Sequence, residues 1–201
     1  MISIETIRDW YLASVIKYGF DEGEFDSAIK LQSDFIADNH SPKLVAQLSE
    51  YSSSLKNLGV GQIASDFKLK DTNGKLVSLA DFRGKVIYID FWGVHCGPCR
   101  SDIMEHGAAV HDKYKNKDVV FLNICTDETE KPWKKAIRDL KLTGVNLIVD
   151  VPNNSQVEKD YSINSIPRYV LVNKEGRLIS ANAPGLWELI NPAKNILDEQ
   201  L

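Results

Sequence analysis

Cysteine is scarce in this sequence, with three in 201 residues, and that is too few for the disulfide framework of a small secreted domain. The odd count leaves at least one thiol without a partner in the chain. Basic charge is not in excess either: 24 Lys and Arg stand against 28 Asp and Glu, for a net charge of -4. Acids and bases mix along the whole length, so no basic face is offered to nucleic acid or anionic lipid. No run approaches the roughly eighteen apolar residues of a membrane span, so no membrane insertion is expected. The opening MISIETIRDWYLASV carries Glu5, Arg8 and Asp9 where a signal peptide has an apolar stretch. The expectation is a cytoplasmic protein, or a mature form whose address has been removed. Repeats and low-complexity runs are absent, and 201 residues can bury a core without stapling.

Residues 1–58 read as an all-helical appendage and residues 59–201 as a separate α/β domain. In the first part, Trp10, Leu12, Ala13, Ile16 and Tyr18 follow helical spacing, as do Ala28, Leu31, Phe35 and Ile36. Ser41-Pro42 marks the cap and first position of a further helix that stops near Gly59. In the second part, DFKLKDTNGKLVSL alternates about Asn73-Gly74, which predicts a hairpin with a type I′ turn. KVIYIDFW is apolar with little alternation, as a central strand covered on both faces would be. A helix over 97–115, the strand DVVFLNIC, a helix over 130–142, the strand NLIV and a short helix over 153–161 follow. RYVLVN, a turn at NKEG and RLISAN come next, and Asn191-Pro192 is read as starting a final helix that ends at Leu201. Strands alternating with helices and closing on a hairpin imply layers of helix on a mixed sheet.

The chemistry centres on Cys96-Gly97-Pro98-Cys99, where a strand hands over to a helix. A cysteine at a helix N-terminus meets unpaired amides and the positive end of the helix dipole, which favour its reactive thiolate. The spacing lets Cys99 face Cys96 from the first turn, so the second thiol can attack a mixed disulfide formed by the first. Pro98 costs little in that turn. A structural zinc site would want a second cysteine pair or a Cys/His pair, and Cys125 with His106 or His111 does not supply one in sequence.

Asp90 lies inside the apolar strand, where an unpaired carboxylate is costly unless it protonates or finds partners. With a raised pKa it would take the proton of Cys99; the bland alternative is an acid that reaches solvent or a backbone donor. Asp102, on the first helical turns, either complements the dipole or acts on the thiols as a charge or proton relay. Pro167, at a strand entry beside a redox pair, suggests a cis Ile166-Pro167 bond that keeps a backbone edge free for an extended substrate. The expected substrate surface comprises Trp92, His95, Gly97, Pro98, Ile166 and Pro167, although Trp92, like Trp133, His106 and His111, reads more simply as core or helix surface. Cys125 is read as a buried, unreactive thiol.

Together FW, CGPC, an acid six residues before the first cysteine and IP before a strand resemble the thioredoxin superfamily, and within it the envelope disulfide reductases of the TlpA and ResA type. The resemblance covers about residues 59–200, including GQIASDFKLKDTNGKLVSLADFRGKV. It implies a three-layer thioredoxin fold with an N-terminal hairpin, Cys96 as nucleophile, Cys99 as resolving thiol and Pro167 as the cis proline. It also makes Asp90 the buried acid, and it sets Asp102 where ResA-like proteins carry an active-site glutamate. A protein disulfide as substrate, a thiol protein as electron donor, no cofactor or metal, and a place in the cell envelope are implied with it. Three positions depart from the pattern. His95 replaces a tryptophan, Met104 a proline that kinks the helix, and Arg168 a threonine after the cis proline. The expected activity is thiol-disulfide exchange in the reducing direction. The rivals are a scaffold with vestigial cysteines and a copper carrier using Cys96, Cys99 and a histidine.

Overall fold

The computed structural model describes residues 3–38, 40–149, 155–191 and 195–201. Three helices come first: α1 (Ile4–Asp21), α2 (Phe25–Ala37) and α3 (Pro42–Leu55). Ser3 caps α1 by accepting the Thr6 N–H, and Pro42 opens α3 behind Ser41. The helical spacing is right and the chosen face is only half right. Ala13, Ile16, Phe20, Ala28 and Phe35 are buried, whereas Trp10, Tyr18, Leu31 and Ile36 point outward.

Strands β1 (Lys68–Asp71) and β2 (Leu76–Ser78) form the expected hairpin, but its turn is not type I′. Only Gly74 has positive φ, +80°. The Gly74 N–H closes on the Asp71 carbonyl, and the Asp71 carboxylate accepts the N–H groups of Asn73 and Lys75. That side chain organises a three-residue loop, and Asn73 keeps ordinary geometry.

The sheet order is β2-β1-β5-β4-β3-β6-β7. Strands β3 (Val86–Trp92), β4 (Val119–Cys125) and β5 (Val145–Ile148) are parallel at its centre. Strand β6 (Arg168–Val172) runs antiparallel to β3, and β7 (Leu178–Ser180) returns along β6. Alternation divides β3 between two cores. Ile87, Ile89 and Phe91 face one cluster that also holds Phe20, Leu55 and Leu58 of the helical segment. Val86, Tyr88 and Trp92 face the other, with α4 (Gly97–Tyr114), α5 (Glu130–Leu140) and α7 (Leu186–Ile190). The result is three layers, the outer one on the first face supplied by the N-terminal helices and the short α6 (Gln156–Asp160).

The α4 helix runs unbroken past Met104. The start of the expected helix over 153–161 and most of the Asn191-Pro192 start lie outside the described residues. Near the C-terminus the described chain holds a 3₁₀ turn at Asp198–Gln200. Among the described residues, no helix is long and apolar enough to cross a membrane.

Candidate active site

Strand β3 ends at Trp92, and the chain reaches α4 through Gly93, Val94 and His95 with Cys96 as the helix N-cap. Cys96 and Cys99 are joined in a disulfide with Cα atoms 5.3 Å apart. The Cys99 N–H donates to Cys96 Sγ at 3.1 Å, so one of the free amides of the first turn already addresses that sulfur. Exposure separates the two sulfurs: Cys96 keeps 9% and Cys99 only 1%. Cys96 is the more accessible of the two. Its Sγ lies 3.7 Å from the Ile166 carbonyl, and the Ile166-Pro167 bond is cis, as expected. Gly97 and Pro98 are exposed beside the disulfide, with Ile166 and Pro167 half-buried opposite.

Asp90 sits on the α4 face of β3, because alternation from Tyr88 and Trp92 places it there. It is buried, and its Oδ1 has no hydrogen-bond partner among the described residues. Burial, with a smaller push from the charge of Asp102, raises its pKa to about 8. The bland reading of an acid reaching solvent does not hold.

Asp102 is not a free carboxylate. Its Oδ2 accepts the Tyr169 hydroxyl at 2.7 Å and the Leu186 N–H at 3.0 Å, and its Oδ1 lies 2.8 Å from His106 Nδ1. It ties α4 to β6 and to the start of α7. Burial, then the charge of Asp90, then the bond to Asp102 hold the Tyr169 phenol well above its usual range, so it stays a donor. His106, read as core or helix surface, belongs to this cluster.

Trp92 is fully buried on the α4 face, and its carbonyl accepts the Thr126 N–H, which agrees with its simpler reading as core. His95 is exposed and turns to Glu128, with Nε2 2.9 Å from Oε2. The Thr129 N–H first and His95 second hold the Glu128 carboxyl down at about 2. Cys125 is buried as expected, and burial pushes its thiol up to about 12.

Asp127 escaped the sequence reading, as did the contact made by Arg168. Asp127 accepts the N–H of Val94 at 2.7 Å and of His95 at 2.9 Å, clasping the loop that carries Cys96. Gly93 makes this possible, since a Cβ there would collide with the Asp127 carboxylate and the Ile166 side chain. Arg168 is buried, and its guanidinium donates to the Asp21 carbonyl at the end of α1. An acid among other polar loop residues and an arginine bonding across 147 positions leave no local signal.

The arrangement can pass two electrons between a dithiol and a disulfide. Over residues 59–196 the chain matches the redoxin family. It is 30% identical over 131 residues to the thiol-disulfide oxidoreductase ResA of Bacillus cereus, covering 64% of this chain and 72% of that protein. With ResA of Bacillus subtilis the identity is 30% over 125 residues, covering 62% and 67%. The thioredoxin domain of a thiol-disulfide oxidoreductase from Bacteroides vulgatus superposes with a TM-score of 0.60 at 29% identity, covering 67% of this chain and 94% of that one. With its cysteine pair joined at the start of α4, the chain belongs to the redoxin family and is a ResA-like thiol-disulfide oxidoreductase of the thioredoxin superfamily.

Proposed function

We propose that the chain reduces protein disulfides, with Cys96 as nucleophile, Cys99 as resolving thiol and Asp90 as the base that serves Cys99. The observation that carries this reading is the unequal burial of the two sulfurs and, on the same face of β3, a buried Asp90 whose Oδ1 has no partner among the described residues. In the dithiol form, the Cys96 thiolate attacks one sulfur of the substrate disulfide, making a mixed disulfide and releasing the other sulfur as thiolate. Asp90, ionised, takes the Cys99 proton, and the Cys99 thiolate attacks Cys96 Sγ. The Cys96–Cys99 disulfide forms, the second substrate thiolate leaves, and two electrons have passed to the substrate. A donor dithiol protein must then restore the pair. Gly97, Pro98, Ile166 and Pro167 border the attack path, and His95 lies beside it. Asp102 is a positioning residue that sets the charge felt by Asp90.

The division near residue 58 makes the N-terminal helices an addition to the thioredoxin core. The resemblance to ResA proteins favours a place in the cell envelope, with the cytoplasm as the alternative, and fractionation of a tagged chain decides between them.

Reduction of insulin by a chemical dithiol tests the activity, and a redox titration tests its direction. Acceleration that vanishes in Cys96→Ser and a potential near roughly -270 mV are expected. Equal rates in wild type and Cys96→Ser, or a potential near the roughly -120 mV of a strong oxidant, would overturn the reading.

A further inference from the structure

A groove of about 700 Å³ opens beside the disulfide between Pro98 and Pro167 and extends to the segment before α7. Its chemistry is one-sided. Glu24, Asp102, Glu105 and Glu188 line it, and among the described residues no lysine or arginine does. His106 is the one basic residue among the described lining, and it is paired with Asp102. Glu188 accepts the Gly185 N–H as part of the α7 cap, whereas Glu24 and Glu105 are exposed. Trp187 is 54% exposed, a large open ring in one wall.

Glu24 does not come from the thioredoxin part of the chain. It stands at the corner between α1 and α2, and Arg168 holds that corner beside the cis proline. The guanidinium, 5% exposed as a residue, donates to the Asp21 carbonyl, and the charges of Glu22 and Asp21 oppose the burial that weakens its ionisation. Gly23, at φ +80°, lets the corner come this close. A Cβ there would lie 2.6 Å from the Asn182 Cβ and 2.9 Å from Arg168 Nη1. A buried arginine next to a reactive site is costly unless paired, and here its partner is the appendage.

Building on the disulfide-exchange reading above, we propose that the α1–α2 corner is the outer wall of the substrate groove and that Glu24, with Glu105 and Glu188, selects protein disulfides flanked by an extended cationic segment. Charge complementarity names this occupant. Carboxylates gathered along a cleft raise the local concentration of cations and repel acidic chains. The Trp187 ring suits the stem and charge of a lysine or arginine.

The test uses the reduced full-length chain and two disulfide-linked peptides that differ only in three flanking residues, all lysine or all glutamate. A small aromatic disulfide serves as a neutral probe for the wild type. A kcat/KM favouring the lysine peptide by about tenfold at low salt, and fading as salt rises, is expected. That ratio should fall severalfold in Glu24→Gln and further in Glu24→Gln/Glu105→Gln. In Glu175→Gln, an exposed acid in the β6–β7 turn, it should hold. Equal rates for both peptides with a reactive aromatic probe would overturn the groove proposal and leave disulfide exchange standing. A wild type inert toward all three disulfides would instead overturn the exchange reading. A ratio that survives Glu24→Gln, or falls as far in Glu175→Gln, would remove the appendage from specificity.

Discussion

The hydroxyl of Tyr169 donates to Asp102 at 2.7 Å, and this bond joins the strand after the cis proline to the helix that carries the cysteines. Tyr169 also pairs directly with Asp90 across the β3–β6 ladder, so one aromatic residue neighbours both carboxylates. Asp102→Asn keeps the shape and drops a charge that raises the Asp90 pKa. The pH profile for resolving the mixed disulfide should move to lower pH in that variant. Tyr169→Phe should cost about 1–2 kcal/mol for a lost bond to a carboxylate, read by denaturant unfolding.

Asp90 makes stability depend on pH with a fixed sign. Its folded pKa, about 8, lies above the ordinary carboxylate value of 3.8, so the fold favours the protonated form. The contribution is intact below about pH 4 and is lost as pH rises through 8. Asp90→Asn should therefore match wild type near pH 4 and exceed it increasingly up to pH 8. The gain then levels off at no more than about 6 kcal/mol, since each tenfold change in ionisation is worth about 1.4 kcal/mol. Unfolding of the oxidised proteins by urea from pH 4 to 9 checks this. The same variant should resolve mixed disulfides more slowly above pH 8.

Asp127→Ala removes the acceptor for two amides of the loop before Cys96. A stability loss of about 2 kcal/mol is expected. Reduction of insulin should fall more than the melting temperature alone accounts for, because the nucleophile loses its fixed position. Asp127→Asn, which keeps an acceptor oxygen, should recover part of the loss.

Arg168→Met leaves the Asp21 carbonyl without its buried donor. Trypsin should then cut within residues 1–58 severalfold faster than in wild type, while the far-ultraviolet spectrum keeps its thioredoxin-fold features. Unchanged cleavage would show that the guanidinium does not hold the corner.

Much of this site is legible in sequence because its signals are local. A seven-residue apolar strand covered on both faces and cysteines at a strand-to-helix junction each follow from short-range rules, and β3 and α4 stand where those rules put them; the cis bond at Pro167 is read only with the redox pair beside it. The misses are all matters of distance or of which face is covered. Trp10 and Tyr18 share a period with Ala13 and Ile16, and only packing decides which stripe is buried. At the hairpin, the Asp71 carboxylate rather than the Asn73-Gly74 dipeptide set the turn. Asp127 and Arg168 act through bonds to backbone far away in sequence, and nothing in their immediate neighbours announces it.

The division of labour between the two sulfurs is tested most directly by trapping. Reduced Cys99→Ser, mixed with a disulfide-bonded protein substrate and analysed by mass spectrometry without reductant, should hold one substrate through Cys96, and Cys96→Ser should hold none. Adducts on Cys99 in Cys96→Ser, at a yield equal to that on Cys96, would contradict the assignment of the more exposed sulfur as the one that attacks.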